Sequence, residues 1–391
     1  MSIGVTRPAR GTRPANRREL ILEAAAELFY RDGYVAVGMS DIADAVSIGP
    51  SALYRHFGSK QELLGAVVLG SVEQLYADLA DVAAGDLAST LARAALQHRR
   101  AGMTWRREVR YLSGAARAEF RERARAVRVR TAELLAERRP DLAADRADLA
   151  ARCALAVVAS VSFHSVQLPD ERMNDLLRAM IEATIAADYA PHPDPPVSGI
   201  SPSATSRREE IFAAAAELFA AKGFSNVGLE EIGARVGIAG PSIYNHFQSK
   251  GEILYEVLMR GNEWLRFGLT RALADASDEA DALERSLSSY VDFAVDHPDF
   301  VALLLTDVVE LPEAQRHRAL DVQRAYVAEW VHLLTTVEPG VDPAAARLRV
   351  QAAIHIANEV ALGQGRAASG VRAVLRSAGN AVLHAVSEAP Q

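Results

Sequence analysis

The sequence contains very little cysteine and no long apolar run. Cys153 is the single cysteine among 391 residues, so the chain excludes an internal disulfide framework and a cysteine-based zinc site. We interpret Cys153 as a small apolar residue of a helix core. No stretch approaches the roughly 18 consecutive apolar residues of a membrane span, and the first residues lack a signal-peptide pattern. These features predict a cytoplasmic protein without a membrane partner.

Aromatic residues are also scarce. They make up 6% of the chain, whereas hydrophobic residues make up 50%, and alanine and leucine dominate the apolar set. Alanine and leucine favour helices, while strands are enriched in aromatic and β-branched residues. The length is sufficient for two or more domains of ordinary size. We therefore predict an all-α fold.

Acidic residues exceed basic ones and give a net charge of −7, which is unexpected for a protein that binds nucleic acid. The two halves differ, however. Residues 1–190 contain 26 Lys and Arg against 24 Asp and Glu, a net charge of +2, and residues 191–391 contain 17 against 26, a net charge of −9. Attraction to DNA is therefore expected to be local and strongest near the start of the chain. Five arginines and no acid occupy the first 18 residues: Arg7, Arg10, Arg13, Arg17 and Arg18.

A repeat divides the chain. Residues 17–64 align with residues 207–254 at a constant offset of 190 without a gap, and 23 of 48 positions are identical. The chain is therefore a duplication of a unit of about 190 residues. Between the copies, residues 189–206 contain five prolines, which disfavour helix and favour an extended tether of up to roughly 50 Å. The prolines are Pro191, Pro193, Pro195, Pro196 and Pro202.

Each copy opens with the signals of a bounded helix. Residues 16–19 and 206–209 have the form of a capping box, a polar residue followed three positions later by glutamate. An apolar-periodic helix follows, and Gly33 and Gly223 are its predicted left-handed C-caps. These signals predict where the first helix of each copy begins and where it ends.

Two short helices follow this longer helix in both copies. The first runs through Ile42–Val46 and Ile232–Val236, and a turn of a few residues leads to the second. A supporting helix followed by two short helices and a tight turn is typical of a helix-turn-helix. We refer to residues 17–64 as the first head and to residues 207–254 as the second head.

The second short helix of each head carries groups suited to a phosphate backbone. It begins with small residues, Gly49–Ala52 and Ala239–Ser242, which let its N-terminus approach DNA. A tyrosine and a histidine follow, and both can donate to phosphate oxygens. Ser59 and Ser249 are predicted N-caps of the next helix, each with a lysine beside it. A generic helical hairpin is the alternative, but it does not explain why the same residues recur in both copies.

At these residues the sequence resembles the TetR family of repressors. The shared signature is A-x-E-L-F and G, then I-A and G-V, then L-Y-x-H-F-x-S-K, over about 48 residues of each copy. Two units in one chain resemble the duplicated regulators of actinobacterial lipid- and sterol-uptake operons. The resemblance implies contacts with double-stranded operator DNA. In the first head these contacts fall on Ser40, Gly49, Pro50, Ser51, Ala52, Tyr54, Arg55, His56 and Lys60, and the charge of the basic stretch adds Arg17 and Arg18 to the DNA-binding candidates. In the second head they fall on Ala239, Gly240, Pro241, Ser242, Tyr244, Asn245, His246 and Lys250.

The remainder of each copy is predicted to form amphipathic helices, which in this family hold an effector pocket and a two-helix dimerisation face. Segments of about 147–187 and 343–387 are rich in Ala, Val and Leu and are the predicted face. We expect the halves to pack as a pseudo-dimer, with further self-association of chains left open. The implied effector is small and hydrophobic or acyl-CoA-like. The candidate ligand-pocket residues are Trp105, Tyr111, Phe120, Phe163, Phe293, Phe300, Tyr326 and Trp330.

Six arginines lie between Arg117 and Arg130. Such a run is usually a solvated helix face, and an anionic group such as an acyl-CoA phosphate, or DNA, is the alternative partner. The predicted organisation of the chain has six parts. They are an arginine-rich arm (1–16), the first head (17–64), a first helical regulatory domain (65–188), a proline-rich linker (189–206), the second head (207–254) and a second helical regulatory domain (255–391).

The two heads differ in their turns. Gly38 and Gly228 occupy the place where the family usually has a Thr or Ser cap, and glycine still caps tolerably. The turn glycine of the family is present as Gly237 in the second head but is replaced by Ser47 in the first. The first turn is therefore predicted to be strained or rearranged.

The heads also differ where they face DNA. Ser40 of the first head corresponds to Glu230, whose carboxylate would repel phosphate, so the second head is predicted to bind more weakly. Arg55 corresponds to Asn245, and arginine favours guanine whereas asparagine favours adenine at a base edge. These differences predict an operator with unequal half-sites.

Other function classes find little support in the sequence. No Walker loop, H-E-x-x-H, G-x-S-x-G or Cys–His arrangement is present, and the histidines lack metal-ligand spacing. We therefore predict a protein that is not an enzyme and has no catalytic residue, metal or cofactor. A ligand-binding protein with degenerate heads would have lost the Tyr-x-His and lysine residues, but both copies keep them. The favoured function is a ligand-responsive transcriptional repressor.

Overall fold

The computed structural model describes residues 16–190 and 206–386. Within these ranges every regular element is a helix, which confirms the all-α prediction. The first copy contains α1 (Arg17–Asp32), α2 (Met39–Ala45), α3 (Pro50–Tyr54), α4 (Lys60–Ala80), α5 (Leu87–Gln97), α6 (Ala101–Glu108), α7 (Gly114–Arg138), α8 (Ala144–Ser160) and α9 (Asp170–Ala186). The second copy contains α10 (Arg207–Lys222), α11 (Leu229–Arg235), α12 (Lys250–Ala274), α13 (Glu279–Asp296), α14 (Pro298–Thr306), α15 (Glu313–Val337), α16 (Pro343–Leu362) and α17 (Val371–Leu383).

Short 3-10 segments complete the described structure. They are Ala84–Asp86, Val109–Tyr111, Phe224–Asn226, Gly240–Asn245, Val308–Glu310 and Gln364–Ala367. The predicted basic arm, with Arg7, Arg10 and Arg13, and the linker prolines lie outside the described residues.

The duplication continues beyond the heads. Helices α7 and α15 have 25 residues each, and Gly114 and Glu313, where they begin, are 199 positions apart. The offset grows from 190 because α12 and α13 have 25 and 18 residues, whereas α4 and α5 have 21 and 11. The same succession of helices is therefore built twice, with a longer central pair in the second copy.

The predicted capping boxes are only partly present. Asn16 is the N-cap of α1, but its side chain makes no capping hydrogen bond, so the box predicted there is wrong. Its backbone, at φ −97° and ψ 25°, is not in the β-region conformation typical of an N-cap that bonds the next turn. Ser206 does accept a hydrogen bond from the Glu209 N–H at 3.3 Å. The carboxylate of Glu209 binds Arg260 instead of returning to the cap, so this box is half formed.

The glycines that end α1 and α10 have a conformation different from the predicted one. Gly33 has φ 84° and ψ 153°, and Gly223 has φ 82° and ψ 144°. Both values of φ are positive, but the large ψ is not that of a left-handed helical cap, so that detail of the prediction is wrong. This region of the backbone map is essentially restricted to glycine.

The first compact unit holds the described residues up to Asp141 together with Val158–Ser165. Its core includes the apolar face of the first head and continues into α4 through Leu63, Leu64 and Val68. Among the described helices, α4 is the one long and apolar enough to cross a membrane. These three core residues are fully buried in the unit, as expected for the central helix of a globular core.

The second compact unit holds Leu142–Val157 and the described residues from Val166 onward. Within it α9 packs against α17, and the Asp188 N–H donates to Ser377 Oγ at 3.0 Å. Arg172 Nη2 lies 3.1 Å from Asp342 Oδ2 at the start of α16. The compact units therefore do not divide at residues 189–206, where the repeat divides, because the apolar face of α9 is buried against second-copy helices.

Candidate nucleic-acid interface

In the first head, a backbone-to-side-chain hydrogen bond starts α2 and a main-chain hydrogen bond closes the turn that follows it. The Gly38 N–H donates to Asp41 Oδ2 at 2.7 Å at the start of α2. The Ile48 N–H donates to the Ala43 carbonyl at 2.9 Å across the turn. Ser47, between them, has φ 56°. The positive φ places strain at Ser47, which is one of the two outcomes predicted for this turn. The hydrogen bond between Ile48 and Ala43 is nevertheless present.

Helix α3 separates a buried face from an exposed face. Leu53 and Phe57 are at most 1% exposed, whereas Tyr54 is 52% exposed. Arg55 and His56 are also exposed. Because the apolar residues fix the helix on the core of the head, the polar side chains between them are presented to solvent.

The second head repeats this arrangement with a different helix type. Its turn is closed by the Ile238 N–H, which donates to the Gly233 carbonyl at 2.9 Å. The following element is the 3-10 segment Gly240–Asn245 rather than an α-helix. Tyr244 is 59% exposed and Asn245 is exposed, so the second head also presents polar groups to solvent.

The recognition elements differ in register as well. The tripeptide Gly-Pro-Ser occupies residues 49–51 in the first head and residues 240–242 in the second, which is one position later than the offset of 190. Gly240 is therefore equivalent to Pro50. A Cβ on Gly240 would lie 2.9 Å from both the nitrogen and the Cα of Glu230. The sequence shows the displaced tripeptide, but it does not show that the displacement brings Gly240 close to the backbone of Glu230.

The lysine of each head is half-buried and binds main-chain carbonyls of its own head. Lys60 Nζ donates to the carbonyls of Tyr34 and Val37, both at 2.8 Å, and Lys250 Nζ makes the equivalent bonds to two second-head carbonyls. Burial lowers the pKa of both lysines. These ammonium groups hold the loop after α1 and α10, while their predicted contact with DNA stays a prediction.

Arginines at the start of each head stack on its core. The guanidinium of Arg18 lies 5.0 Å from the centre of the Phe57 ring, and that of Arg208 lies 4.0 Å from the Phe247 ring. Arg208 also donates to the His246 carbonyl. Serine caps start the next helices as predicted, since Ser59 and Ser249 each accept an N–H at 3.1 Å.

A buried carboxylate joins each head to the following helices. Asp307 Oδ1 accepts the Phe224 N–H at 3.0 Å, and Glu108 stands at the equivalent place of the first copy, where the backbone of Tyr34 lowers the pKa of its carboxyl. Arg107 pairs with Glu108 and donates to the Tyr30 carbonyl at 2.8 Å. Sequence comparison at one constant offset missed this pair, because 199 rather than 190 positions separate the two carboxylates.

The first-copy pocket candidates lie mostly at this junction. Trp105, Tyr111 and Phe120 pack against the core of the first head. The Tyr111 ring stacks on Tyr34 at 5.2 Å between centroids, and Phe163 is half-buried. These side chains connect the head with its regulatory helices.

The second-copy candidates belong to a chain of ring contacts. Tyr326 lies 5.9 Å from Trp330 between centroids, and Tyr290 contacts Trp330, Tyr326 and Phe293. Phe300 joins the chain through His297. Burial raises the pKa values of Tyr290 and Tyr326, so both phenols stay neutral hydrogen-bond donors.

Comparison with known proteins identifies the two heads. The family described as bacterial regulatory proteins, tetR family, matches residues 21–67 and 211–257. Both heads are therefore similar to this family over these segments, which are called the tetR segments below. Each tetR segment runs from the first helix of a head into the helix that follows the recognition element, and so includes all the exposed polar groups described above.

The relatives of these tetR segments are named as regulators. The transcriptional activator FasR of Mycolicibacterium smegmatis is 28% identical over 142 residues, which cover 36% of this chain and 64% of FasR. The repressor KstR2 of Rhodococcus jostii is 35% identical over 75 residues, 19% of this chain and 37% of that protein. The chain thus spans less than two thirds of either relative. The solved structure of KstR2 from Mycobacterium tuberculosis has a TM-score of 0.43 and 19% identity, and the match covers 48% of this chain and 98% of that one.

Proposed function

We propose that this chain is a sequence-specific DNA-binding transcriptional regulator, a ligand-responsive repressor that reads an operator with unequal half-sites. The observation that carries the proposal is the duplication of a complete tetR segment in one chain. Each segment fixes its Tyr-x-His sequence, with the tyrosine exposed, on a buried apolar pair. Retention of both surfaces argues against a protein whose heads have lost their function.

Each head places its recognition element in a major groove under this proposal. Tyr54 and Tyr244, the most exposed aromatic residues of the two elements, donate to phosphate oxygens and set the position of the head. Arg55 prefers guanine and Asn245 prefers adenine where they reach a base edge. The two half-sites therefore differ in sequence.

The second head binds its half-site more weakly in this proposal. Glu230 stands at the place of Ser40 and brings a carboxylate next to phosphate. Arg207 and Arg235 of this head are paired with Glu210 and Glu217, at 2.6 and 2.8 Å. Cations engaged in this way contribute less to attraction of the DNA backbone.

One chain supplies both heads of the regulator. The packing of α9 on α17, together with the contacts of Arg172 and Asp188 described above, supports a pseudo-dimer built from α8, α9, α16 and α17. Palindromic operators reflect the two-fold symmetry of homodimers. A pseudo-dimer with two different heads does not impose that symmetry on its operator.

A small hydrophobic or acyl-CoA-like effector is proposed to bind the regulatory helices. In the second copy, Asn262 is 1% exposed, and its Oδ1 atom is buried with no hydrogen-bond partner among the described residues. Asn262 donates from Nδ2 to the Ala319 carbonyl of α15. On the same helix, the Gln323 Nε2 atom is also buried with no hydrogen-bond partner among the described residues. Buried polar atoms of this kind call for a ligand or a water molecule.

Selection from a random-sequence DNA duplex library, followed by footprinting and measurement of chains per duplex, tests the proposal. We expect one chain to protect two arms of unequal sequence. Arg55→Ala should weaken contacts in one arm, and Asn245→Ala should weaken contacts in the other. A perfect palindrome protected equally on both arms, or loss on both arms from Arg55→Ala, would contradict the assignment.

The effector proposal has its own measurement. Long-chain acyl-CoA, free fatty acid and a sterol are each added to the complex of the full chain with its selected duplex. One class is expected to raise the Kd for DNA, and Asn262→Leu is expected to reduce that rise. Unchanged DNA affinity with all three compounds would contradict this effector class and leave the DNA-binding proposal intact.

A further inference from the structure

Two glycines of the second head, Gly233 and Gly240, seat its recognition element unusually close to α11. We infer that this glycine pair gives the second head its own DNA-reading geometry, so that the two heads select different half-sites through backbone position as well as through exposed side chains. The inference rests on the proposed function, in which both heads read DNA. In this inference Gly233 and Gly240 are positioning residues, because the absence of a side chain sets the place of the backbone.

The two heads have the same turn before the recognition element. Both turns are closed by the same hydrogen bond of 2.9 Å, from Ile48 to Ala43 in the first head and from Ile238 to Gly233 in the second. The isoleucine stands at the same register position in both heads. The heads therefore diverge after the turn, where the recognition element begins.

The backbone of the second head leaves no room for a Cβ at Gly233 or Gly240. A Cβ on Gly233 would lie 2.7 Å from the Ile238 carbonyl oxygen and 3.0 Å from the Gly240 nitrogen. A Cβ on Gly240 would lie 2.9 Å from the backbone of Glu230. Contacts this short with main-chain atoms require the backbone to move. The first head carries a Cβ at both positions, in Ala43 and Pro50, so it cannot adopt the second geometry.

The helix type changes with the glycines. In the first head, the Leu53 N–H reaches the Gly49 carbonyl at 3.3 Å, a bond of the α-helical type. The second element is 3-10 from Gly240 to Asn245. A 3-10 helix advances about 2.0 Å and turns about 120° per residue, against about 1.5 Å and 100° in an α-helix. The start of the second element therefore has a different pitch, whereas the bonds that close it, to the Ile243 carbonyl, match those to the Leu53 carbonyl in the first head.

The test compares four full-length proteins by selection from a random-sequence duplex library. They are the unaltered chain, Gly233→Ala, the matched control Ala43→Gly, and a graft of the second-head pattern onto the first head, in which Ala43→Gly, Gly49→Ala, Pro50→Gly and Ser51→Pro are combined. Gly233→Ala should change the selected sequence in one arm only and lower affinity for the original site roughly tenfold, the scale of one mismatched base pair. The graft should change the other arm only. Ala43→Gly should change neither arm, because it removes a Cβ and requires no backbone shift.

The outcomes separate this inference from the proposed function. If the unaltered chain enriches no sequence, the proposed function fails. If it enriches two arms but Gly233→Ala retains full helical circular dichroism and selects the same two arms, the inference is overturned. If Gly233→Ala loses its helical signal, the grafted protein becomes the test. The inference is then overturned if the graft selects the same sequence as the unaltered chain in the arm read by the first head. An arm change in Ala43→Gly as large as that in Gly233→Ala would overturn it as well.

Discussion

The carboxylate of Asp307 accepts a hydrogen bond from the backbone N–H of Phe224 at 3.0 Å. Phe224 directly follows the glycine that ends α10, and Asp307 directly follows α14. In the first copy Glu108 stands at the equivalent place, and the backbone of Tyr34 lowers the pKa of its carboxyl. A buried carboxylate, of different length in each copy, therefore stands where a head meets its regulatory helices.

Loss of the Asp307 carboxylate should destabilise the second head. In Asp307→Ala the Phe224 N–H loses its acceptor, and an unpaired buried donor costs about 1–3 kcal/mol. Asp307→Asn is the matched control, because its amide oxygen can still accept. Urea unfolding followed by tryptophan fluorescence measures the difference. Equal midpoints for the Ala and Asn variants would show that the hydrogen bond does not stabilise the head.

The junction of the first copy should give a pH-dependent stability. Burial raises the pKa of Glu108, and the neighbouring Arg107 opposes this effect. A carboxyl with a raised folded-state pKa stabilises the fold below its ordinary pKa, near 4.5, and this contribution is lost as the pH rises through the folded-state value. The free energy of unfolding of the unaltered chain, relative to Glu108→Gln, should therefore fall as the pH rises.

Urea unfolding followed by tryptophan fluorescence, between about pH 4 and pH 8, measures this difference. Glu122→Gln, which alters an exposed glutamate of α7, is the control for the general effect of pH. A difference between the unaltered chain and Glu108→Gln that stays constant over this range would contradict the prediction.

The two turns offer a reciprocal pair of substitutions. Ser47 has φ 56° and Gly237 has φ 72°, and a left-handed backbone costs a residue with a side chain about 1–2 kcal/mol. Ser47→Gly should stabilise the first head by about 1 kcal/mol, and Gly237→Ser should destabilise the second by a similar amount. A Cβ on Gly237 meets no atom within 4 Å, so backbone strain is the cause being measured. Shifts of the same sign in the two variants would argue against it.

Cys153 should be unreactive in the folded protein. Its side chain is fully buried, and burial raises the pKa of the thiol to about 12, so the reactive thiolate is nearly absent at neutral pH. An aromatic disulfide reagent should label the native chain slowly and the urea-unfolded chain rapidly, with one thiol released per chain. Rapid native labelling that is independent of urea would contradict this prediction.

The sequence was sufficient to predict the helical fold, the duplication and the position of both heads. Apolar periodicity and the Ser59 and Ser249 caps determine these features locally. The cap at Asn16 failed because its main chain does not take the extended conformation that a capping side chain needs.

The features that the sequence did not reveal depend on contacts between distant segments. Asp307 and Glu108 differ in type and fall outside the constant offset of the heads. The close approach of Gly240 to Glu230 follows from a one-residue displacement whose effect requires coordinates. The packing of α9 on α17, by contrast, joins helices that both lie within the segments predicted from the sequence as the dimerisation face.

That packing has a consequence for how the protein is made. Because α9 buries its apolar face on α17 of the same polypeptide, the two surfaces are synthesised in a fixed one-to-one ratio. Their effective concentration is set by the covalent connection between them and does not depend on how much protein the cell contains. Dilution does not separate them. A rise in expression therefore adds more copies of the same two-headed molecule, without a pool of half-molecules that could exchange with one another.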